Sequence, residues 1–253
     1  MAKKLKIIPL GGVEEIGKNC TAIEYGKNII IIDMGLTFPD EEMLGIDIVI
    51  PDITYLEDNA DKLKALIVTH GHEDHIGAIP YYIKELNVPI YGTELTIGLI
   101  ESKFQEHGID DVELNIFKPR EKIKIDCFEI EPIQVSHSIQ GAVALAIKTP
   151  VGKILHTGDF KVDFTPVDGQ VIDLARFASL GEEGVLLMLA DSTNAERPGY
   201  TQSESTVGVS LEEIFHEAEG RIIVSTFSSN IHRLQQIFDN AEFSGRRVCI
   251  TER

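Results

Sequence analysis

Residues 68–80 read VTHGHEDHIGAIP, which puts three histidines and two acids into the six positions 70–75. The cluster follows the apolar run ALIVT and precedes Ile76, Ile79, Ile83 and Leu86, apolar at helical spacing, with Pro80 tolerable in the first turns. The fold must therefore carry a crowd of imidazoles and carboxylates where a strand gives way to a helix. His70 and His72 are two apart in extended backbone and point the same way. Asp74 and His75 fall at the helix start and point elsewhere. One loop thus offers two imidazoles to one cation, and a carboxylate with an imidazole to a neighbouring one. This is not the HExxH of helical zinc proteases, whose histidines are four apart on one helix face. Nitrogen and oxygen donors without thiolate suit zinc, and also manganese or iron. The plainer alternative is a solvated polar loop with Asp74 as an ordinary N-cap.

Four residues are too few for two cations, so further donors are expected downstream. His137, in QVSHS, follows the apolar run FEIEPIQV. Asp159, in ILHTGDF, follows GKILH and a glycine turn. Both are placed, like the first cluster, on loops at strand ends. A carboxylate such as Asp159 can bridge two cations, and its pKa falls beside them. Alone, His137 fits a satisfied histidine as well as a ligand; within the set it joins the ligands. His156 reads as core or as support for the site, His107 as a cation at a helix end, and His216 as a helix-surface residue.

Around these residues the chain alternates strand and helix signals. LKIIPL, TAIEY, NIIIID, ALIVT, FEIEPIQV, GAVALAIKT and GKILH read as strands, and VLLMLAD as a buried one. ELTIGLIESKFQEHG reads as a helix closed by Gly108. The turn LGGVEEIGKN leads into another strand, so it reads as a hairpin turn and not a phosphate loop, which needs a helix there. After about residue 195 the rhythm becomes helix (SESTVGVSLEEIFHEAEG, with a capping pattern), strand (RIIVSTF), helix (SNIHRLQQIFDNAEF), strand (RRVCIT). The expectation is a layered α/β fold with a boundary near 195, and a tail that begins something longer.

The 253 residues carry a formal charge of −18, which argues mildly against a nucleic-acid partner unless bound cations supply local positive charge. The cysteines, Cys20, Cys127 and Cys249, are odd in number and far apart, as expected for buried apolar thiols in a reducing compartment. MAKKLKIIPLGG is too short in apolar run for a signal sequence, and no stretch approaches a membrane span. A cytoplasmic protein without membrane contact is expected.

HGHEDH, the lone His137 and HTGD resemble the metal-ligand motifs of the metallo-β-lactamase fold, and Asp33, ending NIIIID, matches that fold's early structural aspartate. More narrowly, IPLGGVEEIGKN, THGHEDHIGAIPY, LHTGDFKVDFTP, LADSTNAERPGYTQSE and TFSSNIHRLQQI resemble the bacterial ribonuclease J family, in the β-CASP branch of that superfamily. SIQG stands after His137 where the family pattern has SIPD. The resemblance implies an αββα sandwich over 1–195, incomplete without its C-terminal return strands, and the start of an inserted β-CASP domain over 196–253. It implies a metal-dependent ribonuclease, a 5′-to-3′ exonuclease and endonuclease of RNA maturation and decay, ribosomal RNA processing included, acting on single-stranded RNA with a 5′-monophosphate. His70, His72 and His137 would hold one divalent ion and Asp74 and His75 a second, with Asp159 bridging; Zn2+ is favoured and Mn2+ is the alternative. A water activated between the ions would attack phosphorus. Asp74, His75, Asp159 and Asp191 would be the catalytic set, Asp191 (in LADSTN) matching the first β-CASP acidic motif and orienting a family histidine that acts on the leaving group. Ser228, Ser229, Asn230, His232 and Arg233 would bind nucleotide phosphates at a helix N-terminus, with a plain N-cap as the equal alternative. The family also implies a homo-oligomer, and a further second-ion ligand absent from these residues, so little or no nuclease activity and a second site weakly held or empty are expected of this chain. The rival readings are another hydrolase of the same fold, such as a thioesterase or lactonase, and a non-catalytic metal- or RNA-binding fragment.

Overall fold

Four consecutive isoleucines at 29–32 leave a strand no polar face, so both of its sides must be covered. The computed structural model describes residues 3–251, and in it Ile29 and Ile31 join one core while Ile30 and Ile32 join another. The first sheet runs β1 (Leu5–Gly11), β2 (Cys20–Tyr25), β3 (Asn28–Ile32), β4 (Leu63–Ile67), β5 (Ile90–Gly92) and β6 (Leu114–Ile116), in that order. It is antiparallel through β3 and parallel from β3 to β6.

The second sheet runs β7 (Ile123–Ile125), β8 (Phe128–Gln134), β9 (Val143–Thr149), β10 (Gly152–His156) and β11 (Leu187–Leu189). It is antiparallel except for the last pair. Between the sheets pack Ile23, Ile30, Ile32 and Ile67 from one side, and Phe128, Ile130, Leu145 and Ile147 from the other. Helices α1 (Thr54–Glu57), α2 (Glu73–Ile76), α3 (Ile79–Leu86) and α4 (Glu94–His107) contribute to the core on the far side of the first sheet. Helix α5 (Leu174–Glu183) covers the far side of the second, where Arg176 donates to the buried Glu131 at 2.7 and 2.9 Å. The layers are αββα, as the sequence led us to expect.

Five local readings are corrected. The helix expected from Ile76 is broken at residues 77–78 into α2 and α3. VLLMLAD is not buried: among the described residues β11 pairs only with β10, and Leu187 and Met188 are exposed on an edge. The helices α6 (Ser205–Glu217) and α7 (Ile231–Phe243) form and pack through Phe215, Ile237 and Ala241. RIIVSTF and RRVCIT, however, join no ladder among the described residues, because two parallel strands bury too little to hold each other. The capping pattern before α6 gives no side-chain cap; Ser203 instead bonds Asp163 at 2.9 Å. Of the thiols only Cys20 is buried, Cys127 is half-buried and Cys249 exposed, because Cys249 lies in one of the unpaired segments.

Asp173 joins α5 to the loop before β7. Its Oδ1 accepts from the Arg176 amide at 3.1 Å as an N-cap, and Arg120 donates to both oxygens at 2.6 and 2.9 Å. Asp173→Ala is expected to cost about 1 kcal/mol through the lost cap, and Asp173→Asn less, since asparagine also caps. The Arg120 hydrogen bond holds the Asp173 carboxyl below its ordinary range. Its contribution is therefore complete above about pH 4, the unfolded value, and is lost as pH falls through the lower folded value. Urea unfolding of both proteins checks this: the stability gap between wild type and Asp173→Ala should hold from neutral pH to about 4 and narrow below it.

Candidate metal centre

The ends of β3, β4, β8 and β10 converge on one rim, and each delivers a polar side chain where its apolar run stops. At the end of β3 the chain turns through Asp33 in a left-handed conformation, φ 58°, which aspartate tolerates better than most residues. The buried Asp33 carboxylate accepts from the Thr69 amide at 2.7 Å and the Thr69 hydroxyl at 2.8 Å, and its Oδ2 stands 2.8 Å from His75 Nδ1. A carboxylate accepts, so His75 Nδ1 carries the proton and Nε2 faces the rim. Gly35 lets this turn lie against the ligand segment: a Cβ there would fall 1.6 Å from the Asp74 carbonyl oxygen.

Three imidazoles meet beside it. His70 Nε2 and His137 Nε2 each lie 3.1 Å from His72 Nδ1. The other nitrogens are engaged outward: His70 Nδ1 is 3.1 Å from the Thr69 hydroxyl, and His72 Nε2 is 3.3 Å from the Ser229 carbonyl. Asp159 stands between two groups of donors. Its Oδ2 lies 4.0 Å from His70 Nε2 and 3.8 Å from His137 Nε2, while its Oδ1 lies 3.4 Å from His75 Nε2. Asp74 Oδ2 is 3.5 Å from that same nitrogen.

Burial, reinforced by the neighbouring imidazoles, pushes His70 well below its ordinary range and His137 to about 4. Burial also lowers His72. These three rings are neutral at neutral pH and turn lone pairs to one point. Burial opposes charge on His75, but Asp33, then hydrogen bonds with Asp159, Asp33 and Asp74, hold it well above the ordinary range. Burial opposes ionisation of Asp159 too, yet the His75 hydrogen bond and charge bring it to about 2. Asp74 is lowered in the same way.

The donor chemistry fits divalent cations. Tetrahedral zinc–imidazole bonds of about 2.0–2.1 Å place donor nitrogens about 3.3 Å apart, close to the 3.1 Å separations seen here. Two groupings with all donor atoms within 4.8 Å arise, His70–His72–His137 and His70–His75–Asp159. Five residues of the expected ligand set fall in these groupings, and the sixth, Asp74, lies beside them with its Oδ2 3.5 Å from His75 Nε2.

Asp191 lines the adjoining pocket, about 610 Å³, with Asp33, Asp74, His75, His156 and Asp159. Its amide donates to the Thr157 hydroxyl at 2.9 Å, and its carboxylate accepts from the Thr193 amide at 2.8 Å. The five residues at the start of α7 are not brought together as a phosphate cradle. Ser229 reaches the rim through its main chain, and Ser228 is exposed. Asn230 caps α7, accepting from the Arg233 amide at 3.0 Å. Arg233 is taken by Glu204 at 2.5 Å, and the buried His232 has its Nε2 3.6 Å from Asp168 Oδ2. The plain N-cap reading holds for Asn230, because acidic neighbours occupy the cation that would have met a phosphate. Sequence reasoning missed Thr69 and Asn19; Thr69 had a signal in its place directly before His70, and Asn19 had none in spacing.

Residues 13–185 match the metallo-beta-lactamase superfamily, and residues 219–253 match the ribonuclease J beta-CASP domain. The chain is similar to the ribonuclease J of Helicobacter pylori (strain J99), 50% identical over 98% of this chain and 36% of that protein. It is similar also to the ribonuclease J of Synechocystis, 46% identical over 98% of this chain and 39% of that protein. The chain thus spans less than half the length of these curated relatives. A crystal structure of a protein of unknown function from Enterococcus faecalis V583 shares the fold, with TM-score 0.70 and 20% identity over 94% of this chain and 63% of that one.

Asp33→Asn keeps the shape and the tolerance of a left-handed turn but leaves one acceptor oxygen for three donors. It is expected to destabilise the chain by about 2 kcal/mol, the cost of a buried unmet donor. Chemical denaturation checks this, and a loss under about 0.5 kcal/mol would show that Asp33 is not what anchors the rim.

Proposed function

Because the chain belongs to the metallo-β-lactamase superfamily, we propose that it carries the metal centre of a ribonuclease J-type hydrolase that cleaves RNA phosphodiesters. One observation carries this reading. The pocket beside the rim is walled by Glu14, Glu15, Asp191 and Glu196, and no lysine or arginine lines it among the described residues. A phosphodiester is repelled by such a wall unless cations stand on the rim. In this reading the superfamily domain occupies 1–195 and 196–253 begins the β-CASP domain.

Divalent cations, Zn2+ or Mn2+, supply Lewis acidity and neutralise charge growing on the phosphoryl oxygens. His70, His72 and His137 would hold one, His75 and Asp74 the other, and Asp159 would offer one oxygen to each. Thr69 and Asp33 orient His70 and His75, so their Nε2 atoms face the rim before any ligand arrives, and His75 would give up its Nε2 proton to bind a cation. His72 donates outward to Ser229, which ties the turn before α7 to the rim. Asp191 offers a carboxylate on the pocket wall to a donor acting on the leaving group. Single-stranded RNA bearing a 5′-monophosphate is the proposed substrate. A cytoplasmic place is proposed with it, in keeping with three unpaired thiols; no helix of the described residues is long and apolar enough to cross a membrane.

Metal analysis after dialysis against Zn2+ or Mn2+ is expected to find bound ions in wild type and none in the His70→Ala/His137→Ala double variant. Cleavage of 5′-monophosphorylated RNA is expected to be weak for this chain, strong when it is joined to the remaining length of the Helicobacter pylori relative, and abolished by EDTA or Asp159→Ala. Wild type without bound ions, or cleavage insensitive to EDTA, would defeat the reading.

A further inference from the structure

Asn19 closes the glycine-rich turn between β1 and β2 and lies outside the ligand set, yet it touches two members of it. Its amide N–H donates to the Asp74 carbonyl at 3.0 Å, and its own carbonyl accepts from the Gly35 amide at 3.0 Å. The side-chain Nδ2 lies 3.1 Å from the Asp74 carbonyl, 3.3 Å from Asp74 Oδ2 and 3.1 Å from His75 Nε2. A carbonyl oxygen only accepts, which favours the N–H end of the amide facing Asp74. Gly12 makes room for the other end: it sits at φ +82°, and a Cβ there would lie 2.5 Å from Asn19 Oδ1. The turn LGGVEEIGKN, which is no phosphate loop, thereby gains a task.

We propose that Asn19 is a positioning residue of the second cation site, acting through Asp74. Asp74 sits on the four-residue helix α2, with its side chain 33% exposed. Such a carboxylate is free to rotate towards water unless something holds it. The Asn19 amide ties both its carboxylate and its main chain to the β1–β2 turn, so that Oδ2 stays beside His75 Nε2. The three-histidine group receives no hydrogen bond from Asn19, so only the second ion should respond. Partners of metal ligands typically change affinity about 10- to 100-fold when removed.

The inference rests on the two-cation reading above, and the test separates the two. Mn2+ is titrated into the 253-residue chain, as wild type, Asn19→Leu and Asp74→Asn, and followed by calorimetry and electron paramagnetic resonance. The expected result is a first ion of unchanged affinity in all three, which also reports folding. The second ion is weakened about ten-fold or more in Asn19→Leu, with loss of the spin-coupled pair signal, as in Asp74→Asn. An unchanged second ion in Asn19→Leu overturns the role of Asn19, and so does a wild type that takes up a single ion. If Asn19→Leu loses both ions, Asn19→Ala is read in its place; loss of both there also overturns a selective role. A wild type that binds no Mn2+ overturns the two-cation reading itself.

Discussion

The rim depends on one buried carboxylate. Asp33 ends a strand whose two faces lie in two different cores, and it faces two elements of the ligand segment at once, Thr69 and His75. An ionised group with little exposure is tolerated only when its lone pairs are met. Three donors meet these, two from Thr69 and one from His75. The consequence runs outward: Thr69 is set against His70, and His75 turns Nε2 to the rim. The left-handed φ of Asp33 is part of the same construction, a strained backbone kept because the surrounding bonds over-determine it.

That pre-arrangement also resolves the charge of the protein. A net charge of −18 and a carboxylate-walled pocket suit a polyanionic substrate poorly. Imidazoles kept neutral by burial and carboxylates kept ionised by His75 form a donor set suited to divalent cations. In the proposed function the positive potential would be local and carried by ions, and so would leave no trace in the count of lysines and arginines.

Legibility followed burial. The longer strands of the first 160 residues could be read because isoleucines and valines at period two, or in continuous runs, have few other solutions, whereas the three-residue β5, β6 and β7 are too short to show a period and were missed. LLMLA looks the same in sequence, yet among the described residues β11 has a neighbour on one side only and shows Leu187 and Met188 to solvent. RIIVSTF and RRVCIT have strand composition but find no ladder, because pairing belongs to the neighbour as much as to the segment. At α7, the Ser-Ser-Asn sequence gave the cap on Asn230 but not the partners of Arg233 and His232, which come from Glu204 and Asp168 far away in the chain.

The sequence by itself determined the donor types and their local spacing: two imidazoles two apart, a carboxylate and an imidazole at a helix start, and further donors at later strand ends. Covalent spacing and strand periodicity are short-range properties, so a linear reading reaches them. Only the tertiary structure decided that His137 and Asp159 close on His70 and His75, that Asp159 turns one oxygen to each group, and that Asn19 holds Asp74. Those contacts join residues up to 89 positions apart, as His70 and Asp159 are, and such distances are set by how two sheets pack face to face, which no local pattern encodes.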